Sequence, residues 1–224
     1  MGFGTRKEVK TFIKNGQVTV GEKTVTDPGF HVSEDDDVKL SGESVRYSEF
    51  VYYMMNKPPG VVSATEDPRE RTVLDLLDGT VRKGIFPAGR LDKDTVGLLL
   101  LTNDGELAHK ILSPAHHVDK RYLVRVKGEL KGSDVELFKK GIDIGDDTPT
   151  MPAELHIKSS GEISEAEVVI REGRYHQIKR MFSAIGAEVI YLKRLSMGSL
   201  LLDPDLPEGA FRPLTDEELY KLSR

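Results

Sequence analysis

The residues best suited to chemistry lie in one polar turn, which reads GRLDKD from Gly89 to Asp94. This turn places Asp92 directly before an apolar run from Gly97 to Leu101. A turn anchored by a buried strand is a favoured position for a catalytic group. A carboxylate there can act as a nucleophile or as a general base. Taken alone, however, such a turn is more often an ordinary solvated loop.

The composition narrows the possible chemistry. The 224 residues include no cysteine, which excludes disulfides, thiolate nucleophiles and cysteine-ligated metals. His116 and His117 are adjacent, so on a strand they would point in opposite directions, and no further ligand cluster joins them. We therefore predict no metal and no cofactor. The lack of cysteine also favours a reducing, cytoplasmic setting.

The positions of the charged residues are more informative than the net charge. A net charge of −5 argues mildly against a nucleic-acid partner, because phosphate binding depends on lysine and arginine. Residues 171–194 are nevertheless locally basic, and Arg174 and Arg180 in this segment are candidate RNA contacts. No apolar run is long enough for a signal peptide or a membrane span, so we expect a soluble protein.

The elements around these residues indicate a small module followed by a larger domain. Thr5 and Glu8 form a capping-box pattern that starts a helix, and three short strand-like segments follow it. The polar segment from Ser41 to Glu49 is the predicted boundary. We therefore expect a module over residues 1–45 and a catalytic domain over residues 50–224.

The larger domain mixes strands and helices. Strand-like runs cover residues 51–56, 97–102, 121–126, 154–159 and 165–171. A helix is predicted over 176–185 from the apolar spacing of its residues, and Gly186 ends it. Lys179 lies at the flank of the apolar stripe of this helix, where it can point along a cleft. Another helix is predicted to begin at Ser133 with Glu136 completing a capping box.

Four segments in fixed order carry a family resemblance. They are MNKPPGVVSAT from Met55, GRLDKDTVGLLLLTNDG from Gly89, KRYLVRV from Lys120 and EGRYHQIKRMF from Glu172. Together they resemble the motifs of pseudouridine synthases, in the RsuA branch that contains the ribosomal small-subunit enzyme and its large-subunit relatives. Four segments over about 130 residues are far more specific than a single short motif.

This resemblance implies roles for individual residues. Asp92 corresponds to the catalytic aspartate, and Lys179 to the cation paired with it. Tyr122 corresponds to the tyrosine that stacks on the target base, although an ordinary core aromatic is compatible with its position. Arg90 corresponds to an arginine that contacts RNA phosphates or inserts near the displaced base. Leu192 corresponds to an apolar residue near the uracil, and plain core packing is nearly as good an explanation.

The N-terminal segment from Thr5 to about residue 40 resembles the αL RNA-binding motif. Exposed cations of its helix would contact phosphates without reading base sequence. The motif usually opens with a further helix, so we expect an incomplete module with weaker RNA docking. The candidate phosphate contacts are Arg6, Lys7, Lys10 and Lys14.

The resemblance implies an α+β fold with a mixed, mainly antiparallel sheet and peripheral helices. The expected reaction is isomerisation of uridine to pseudouridine in ribosomal RNA, small-subunit RNA being preferred. The expected partner is ribosomal RNA or an assembling subunit, bound by a monomer without a membrane. The alternatives are a large-subunit RNA substrate, a noncatalytic RNA-binding or assembly factor, and a glycosidase or nucleosidase that uses a second carboxylate.

Overall fold

The computed structural model describes residues 4–33, 35–45, 49–77, 84–113 and 116–223. The chain divides into two compact units. The smaller unit comprises Met1–Val51 with Leu77–Gly84, and the larger comprises Tyr52–Leu76 with Ile85–Arg224.

The smaller unit begins with helix α1 (Arg6–Lys14), and its predicted capping box is confirmed. The Glu8 carboxylate accepts a hydrogen bond from the Thr5 N–H at 2.7 Å, and the Glu8 N–H donates to Thr5 Oγ1 at 3.3 Å. A small antiparallel sheet follows in the order β2-β1-β3-β4. Its strands are β1 (Val18–Val20), β2 (Lys23–Val25), β3 (Val38–Leu40) and β4 (Glu43–Ser44).

Strand β4 lies inside the polar segment that we predicted as the boundary. Two residues of this segment, Glu43 and Ser44, pair with β3 and so extend the small sheet. Residues 46–48 lie outside the described residues.

The larger unit is built on one mixed sheet with the order β13-β5-β7-β11-β8-β10-β9, while β6 pairs with β7 and β12 pairs with β11. The pairing of β7 with β11 is parallel, and the other pairings between the described strands of this sheet are antiparallel. The strands are β5 (Tyr52–Lys57), β6 (Phe86–Ala88), β7 (Val96–Thr102), β8 (Lys120–Lys127), β9 (Glu154–Ser159), β10 (Ile163–Ile170), β11 (Glu188–Met197), β12 (Leu200–Leu201) and β13 (Phe211–Pro213).

The helices of the larger unit bury two apolar clusters against this sheet. Helices α3 (Gly132–Lys140) and α4 (Gln177–Ala184) contribute to a cluster with β8 and β10. Helices α2 (Gly105–Leu112) and α5 (Asp216–Ser223) contribute to a second cluster with β7. The α+β fold with a mainly antiparallel sheet is therefore confirmed.

The start of α3 differs from the prediction. The helix begins at Gly132, and the Asp134 carboxylate, instead of Glu136, accepts a hydrogen bond from the Lys131 N–H at 2.8 Å. Glu136 pairs with Lys139 one turn later at 2.9 Å. Asp134 and Glu136 are both possible acceptors at the start of this helix, and the structure uses Asp134.

Candidate active site

Asp92 lies in the turn before β7, as predicted. All residues of β7 are buried, so the strand provides a rigid support for this turn. The strand lies unusually close to its parallel neighbour at Gly97. A Cβ atom added there would lie 2.3 Å from the Arg194 carbonyl oxygen, and Gly97 has φ +100°. Glycine therefore permits the close approach of β7 and β11 beside the turn.

The end of β5 and the segment that follows it hold the same turn through hydrogen bonds. The buried Lys57 ammonium donates to the carbonyl oxygens of Thr95 at 2.9 Å and Lys93 at 3.3 Å. The Gly60 N–H donates to the Lys93 carbonyl at 2.8 Å. Ser63 Oγ donates to the Leu91 carbonyl and accepts from the Leu91 N–H. These contacts fix the backbone on both sides of Asp92.

Lys57 is a buried cation without a direct carboxylate partner among the contacts described. Burial lowers the pKa of Lys57 to about 8, although the charges of Asp94 and Asp92 oppose this shift. Its carbonyl partners satisfy the N–H groups of the amine, which makes burial tolerable. The sequence analysis assigned no role to Lys57. Its position at the end of a predicted strand was the signal that could have indicated a buried lysine.

Two polar side chains, Lys179 and His176, lie close to the Asp92 carboxylate, and Lys179 also contacts Asp94. Lys179 Nζ lies 3.1 Å from Asp92 Oδ2 and 2.6 Å from Asp94 Oδ1. His176 Nε2 lies 3.7 Å from Asp92 Oδ1. The Asp92 side chain is 29% exposed and that of Lys179 is 24% exposed, whereas that of Asp94 is 72% exposed. The structure therefore brings the predicted Asp92 and Lys179 together.

The shared lysine is held in its charged form. Burial lowers the pKa of Lys179, but hydrogen bonds and charge attraction from Asp94 and Asp92 outweigh it and raise the pKa above its ordinary value. For Asp94, burial raises the pKa, but the hydrogen bond and the positive charge of Lys179 outweigh burial and hold the pKa below its ordinary value. Asp94 therefore shares the cation of Asp92.

Two adjoining cavities in the larger unit meet at Asp92. The smaller one has a volume of about 80 Å³ and is here called the inner cavity, because the buried Tyr122 and Leu192 line it. Thr95 and Lys179 line it as well. Thr95 Oγ1 is buried without a hydrogen-bond partner among the described residues. The other, here called the outer cavity, has a volume of about 420 Å³, and the residues that line it alone include Ser63, Ala64, Asp67 and Tyr175. Arg90, Leu91, Asp92, Gly173, Arg174 and His176 line both cavities.

The predicted RNA-contacting arginines of the larger unit fall into two groups. Arg90 is exposed at the rim of the cavities. Arg174 instead pairs with Glu172 at 2.9 Å and donates to the Thr148 carbonyl at 2.6 Å. Arg180 pairs with Asp146 and donates to the carbonyl oxygens of Ile144 and Tyr175. RNA contacts of Arg174 and Arg180 would compete with these partners, and their predicted role stays a prediction.

The remaining predicted contacts lie in the smaller unit. Arg6, Lys7, Lys10 and Lys14 are all exposed on α1, which is the arrangement that phosphate contacts require.

Sequence reasoning did not single out Tyr175 or His176. Their signal was an aromatic pair directly before an amphipathic helix that carries Lys179.

The described residues show neither a grouping of three or more His, Cys, Asp or Glu side chains suited to a metal ion nor a helix suited to crossing a membrane. The chemistry visible at the site is that of a carboxylate, a lysine, an aromatic ring and hydrogen-bonding groups.

Comparison with protein families matches the chain to two models. The model described as RNA pseudouridylate synthase matches residues 51–184, which include β5, the Asp92 turn and α4. The model of the S4 domain matches residues 1–38. A small N-terminal module before a pseudouridine synthase fold was predicted, and these matches agree with it.

Individual relatives match over nearly the whole chain. The uncharacterized RNA pseudouridine synthase YtzG of Bacillus subtilis (strain 168) is 50% identical over 225 residues, covering 99% of this chain and 94% of that protein. Ribosomal small subunit pseudouridine synthase A of Escherichia coli (strain K12) is 40% identical over 209 residues, covering 92% and 89%. A crystal structure of a pseudouridylate synthase aligns with a TM-score of 0.73 at 36% identity, covering 97% and 94%. With a family model over more than half of its length and relatives of this identity, the chain belongs to the RNA pseudouridylate synthase family.

Proposed function

We propose that this protein isomerises a uridine of small-subunit ribosomal RNA to pseudouridine, with Asp92 as the catalytic carboxylate. The observation that carries the proposal is the position of Asp92, which lies where two cavities meet and contacts Lys179. The relatives named as small-subunit synthases support the choice of RNA.

The reaction needs no outside group. The bond between uracil N1 and the ribose carbon breaks, the uracil turns while it stays bound, and its C5 joins the same carbon. The hydrogen on C5 leaves as a proton, and N1 ends with a proton, so the atoms balance. Asp92 serves either as a nucleophile on the ribose or as a base, and Lys179 supplies its counter-charge.

The inner cavity suits a flipped base. Flipping costs a few kcal/mol, and stacking on an aromatic side chain repays part of that cost. The Tyr122 ring and the Leu192 side chain line the cavity and supply apolar contacts for uracil. Arg90, exposed at the rim, is placed to contact phosphates or the vacated position in the RNA. All these residues belong to one unit of one chain, which is consistent with action as a monomer.

The S4-type unit supplies additional RNA contacts through the exposed cations of α1. Arg174 and Arg180 add positive charge beside the cavities while holding neighbouring carboxylates and carbonyls. We propose residues 1–45 as the RNA-docking module, residues 50–224 as the catalytic domain, and the cytoplasm as the place of action, because ribosomal RNA or an assembling subunit is the substrate.

Tritium release from ribosomal RNA that carries 5-tritiated uridine tests the proposal, because formation of the C5 bond expels that hydrogen. We expect release with the wild type and none with Asp92→Asn. Asp94→Asn is the matched control, since it removes the other carboxylate partner of Lys179 and should retain most of the release. Equal loss in both variants would contradict the assignment of Asp92.

The same assay separates the alternatives. Release from large-subunit RNA alone would reassign the substrate. Release of free uracil would indicate a glycosidase, because an isomerase keeps the base attached. Binding without release from small-subunit RNA, large-subunit RNA or assembling subunits would indicate a noncatalytic RNA-binding factor.

A further inference from the structure

We propose that Tyr175, stacked on His176, is a platform for the nucleobase that adjoins the target uridine in the RNA. The inference rests on the proposed function, and it assigns the outer cavity to that neighbouring nucleotide. It adds a second base-binding position to the one lined by Tyr122.

The side chain of Tyr175 is placed for stacking with a ligand. Tyr175 is 76% exposed, although its ring is large and apolar. The ring lies on the His176 imidazole with centroids 3.8 Å apart and an interplanar angle of 19°. Exposed tyrosines are common, but this one is already ordered by a stacked neighbour, which reduces the entropy lost when a base binds.

The backbone that presents this pair is itself constrained. His176 has φ +48°, a left-handed conformation that residues other than glycine seldom adopt. Arg180 donates to the Tyr175 carbonyl at 3.2 Å and thereby holds the turn against α4. Unfavourable backbone conformations of this kind cluster at functional sites. The constraint places the His176 ring near Asp92 and the Tyr175 ring at the rim of the outer cavity.

The path of an RNA strand explains the location. A uridine flipped into the inner cavity beside Asp92 remains joined to its neighbours through phosphates. The exposed Arg90 lines both cavities and can contact such a phosphate. The adjoining base then lies over the outer cavity, whose volume of about 420 Å³ exceeds that of the inner one. Aromatic side chains bind unstacked bases by offering a ring face, with little preference for base identity.

The test compares Tyr175→Ala and Tyr175→Phe with the wild type on an RNA that contains the target uridine. Binding is measured in the Asp92→Asn background, where no turnover takes place, and pseudouridine formation is measured with Asp92 intact. We expect Tyr175→Ala to weaken RNA binding by roughly 5- to 150-fold, the range that loss of one stacked base corresponds to. Tyr175→Phe keeps the ring and should bind like the wild type. Tyr220→Ala, which alters an exposed tyrosine on α5, is the control and should leave binding unchanged.

Abasic nucleotides then identify the base. Each position beside the target is made abasic in turn, and we expect one of these RNAs to bind wild type and Tyr175→Ala equally, because the stacking partner is already missing. The inference is overturned if Tyr175→Ala binds intact RNA as tightly as the wild type. It is also overturned if Tyr175→Ala binds every abasic RNA more weakly than the wild type by the same factor. Absence of pseudouridine with the wild type would instead refute the proposed function, and the binding comparison would still decide the role of Tyr175.

Discussion

Lys179 lies between two carboxylates, with Nζ 3.1 Å from Asp92 and 2.6 Å from Asp94. The lysine therefore contacts both carboxylates and supplies a counter-charge to each. The more exposed Asp94 holds the lysine from the opposite side. We therefore predict that Lys179 positions Asp92, and that its removal affects the rate of reaction more than RNA binding.

We expect Lys179→Met to lower the rate of pseudouridine formation by about 100-fold, the scale on which misplacement of a reacting group acts. Lys179→Arg keeps a cation at the same point of α4 and should recover part of that loss. Single-turnover rates measure this effect, and RNA affinity is determined separately. A Lys179→Met enzyme that reacts at the wild-type rate would show that Asp92 needs no such partner.

At the scale of elements, the close approach of β7 and β11 is set by one residue. A Cβ atom at position 97 would lie 2.3 Å from the backbone oxygen of Arg194 and 2.8 Å from its backbone nitrogen. Neither atom can move unless β11 moves, and β11 also carries Leu192 beside the inner cavity.

We expect Gly97→Ala to reduce the free energy of unfolding by about 3 kcal/mol or more, because backbone overlap is added to an unfavourable φ. Gly105→Ala is the matched control, since nothing lies within 4 Å of a Cβ atom at this first residue of α2. It should be neutral or stabilising by up to about 1 kcal/mol. Denaturant titration measures both, and equal stabilities of the two variants would refute the close-packing argument.

The C-terminal helix is attached through an ion-pair network. Arg212 in β13 donates to both Glu218 carboxylate oxygens at 2.8 Å and pairs with Asp203 at 2.7 Å. The Thr215 N–H also donates to Glu218 at 2.8 Å. The hydrogen bonds from Arg212, opposed in part by burial, lower the pKa of Glu218 to about 2.

This shift predicts a dependence of stability on pH. Because the pKa of Glu218 is lower in the folded state, its contribution is present above the unfolded value of 4.5 and is lost as pH falls towards 2. We expect Glu218→Gln to cost about 1–3 kcal/mol at pH 7 and to remove this part of the acid dependence. Glu217→Gln, which breaks only the exposed pair with Lys221, should have a smaller effect. Unfolding curves measured from pH 7 to pH 2.5 test this, and parallel pH profiles for wild type and Glu218→Gln would contradict it.

At the scale of the whole molecule, RNA binding depends on where the positive charge lies. The net charge of −5 is unfavourable for binding a polyanion, yet the cations of α1 are concentrated on one exposed helix. Affinity falls as the salt concentration rises, and each phosphate contact makes the slope of log affinity against log salt concentration more negative by about 0.7 to 0.9.

Replacing the four cations of α1 by Gln should weaken RNA binding and reduce the salt slope by up to about 3. The control replaces four exposed lysines of the larger unit, so that the net charge changes from −5 to −9 in both variants. Equal changes in slope would mean that overall charge, and not α1, governs binding. The replaced residues are Arg6, Lys7, Lys10 and Lys14 in the first variant and Lys127, Lys131, Lys139 and Lys140 in the control.

Much of the local structure could be predicted because it depends on residues close together in the sequence. The Thr5 capping box, the apolar run of β7 and the periodicity of α4 each place an element within about two residues of its observed bounds. Asp104 likewise caps α2 by accepting from the Leu107 N–H at 2.9 Å.

Several strands could not be predicted, for identifiable reasons. The long strand β11 contains the buried Arg194 and two register shifts, which interrupt the alternation on which strand prediction depends. Strands β6 and β13 contain Pro87 and Pro213, and proline lowers the expectation of a strand. Long-range pairing outweighs these local signals.

Motif order and apolar periodicity are local properties, so the sequence alone singled out Asp92 as the candidate carboxylate and predicted its supporting strand and the amphipathic helix of Lys179. The tertiary structure brings Lys179 into contact with both Asp92 and Asp94, and it places the Lys57 ammonium within hydrogen-bonding distance of the turn backbone. It also decided that Arg174 and Arg180 are bound by internal carboxylates and carbonyls. Ion pairs and buried hydrogen bonds join residues that are far apart in the chain, 87 positions in the case of Asp92 and Lys179 and 96 in the case of Leu98 and Arg194. Sequence spacing carries no information on which of several charges will meet.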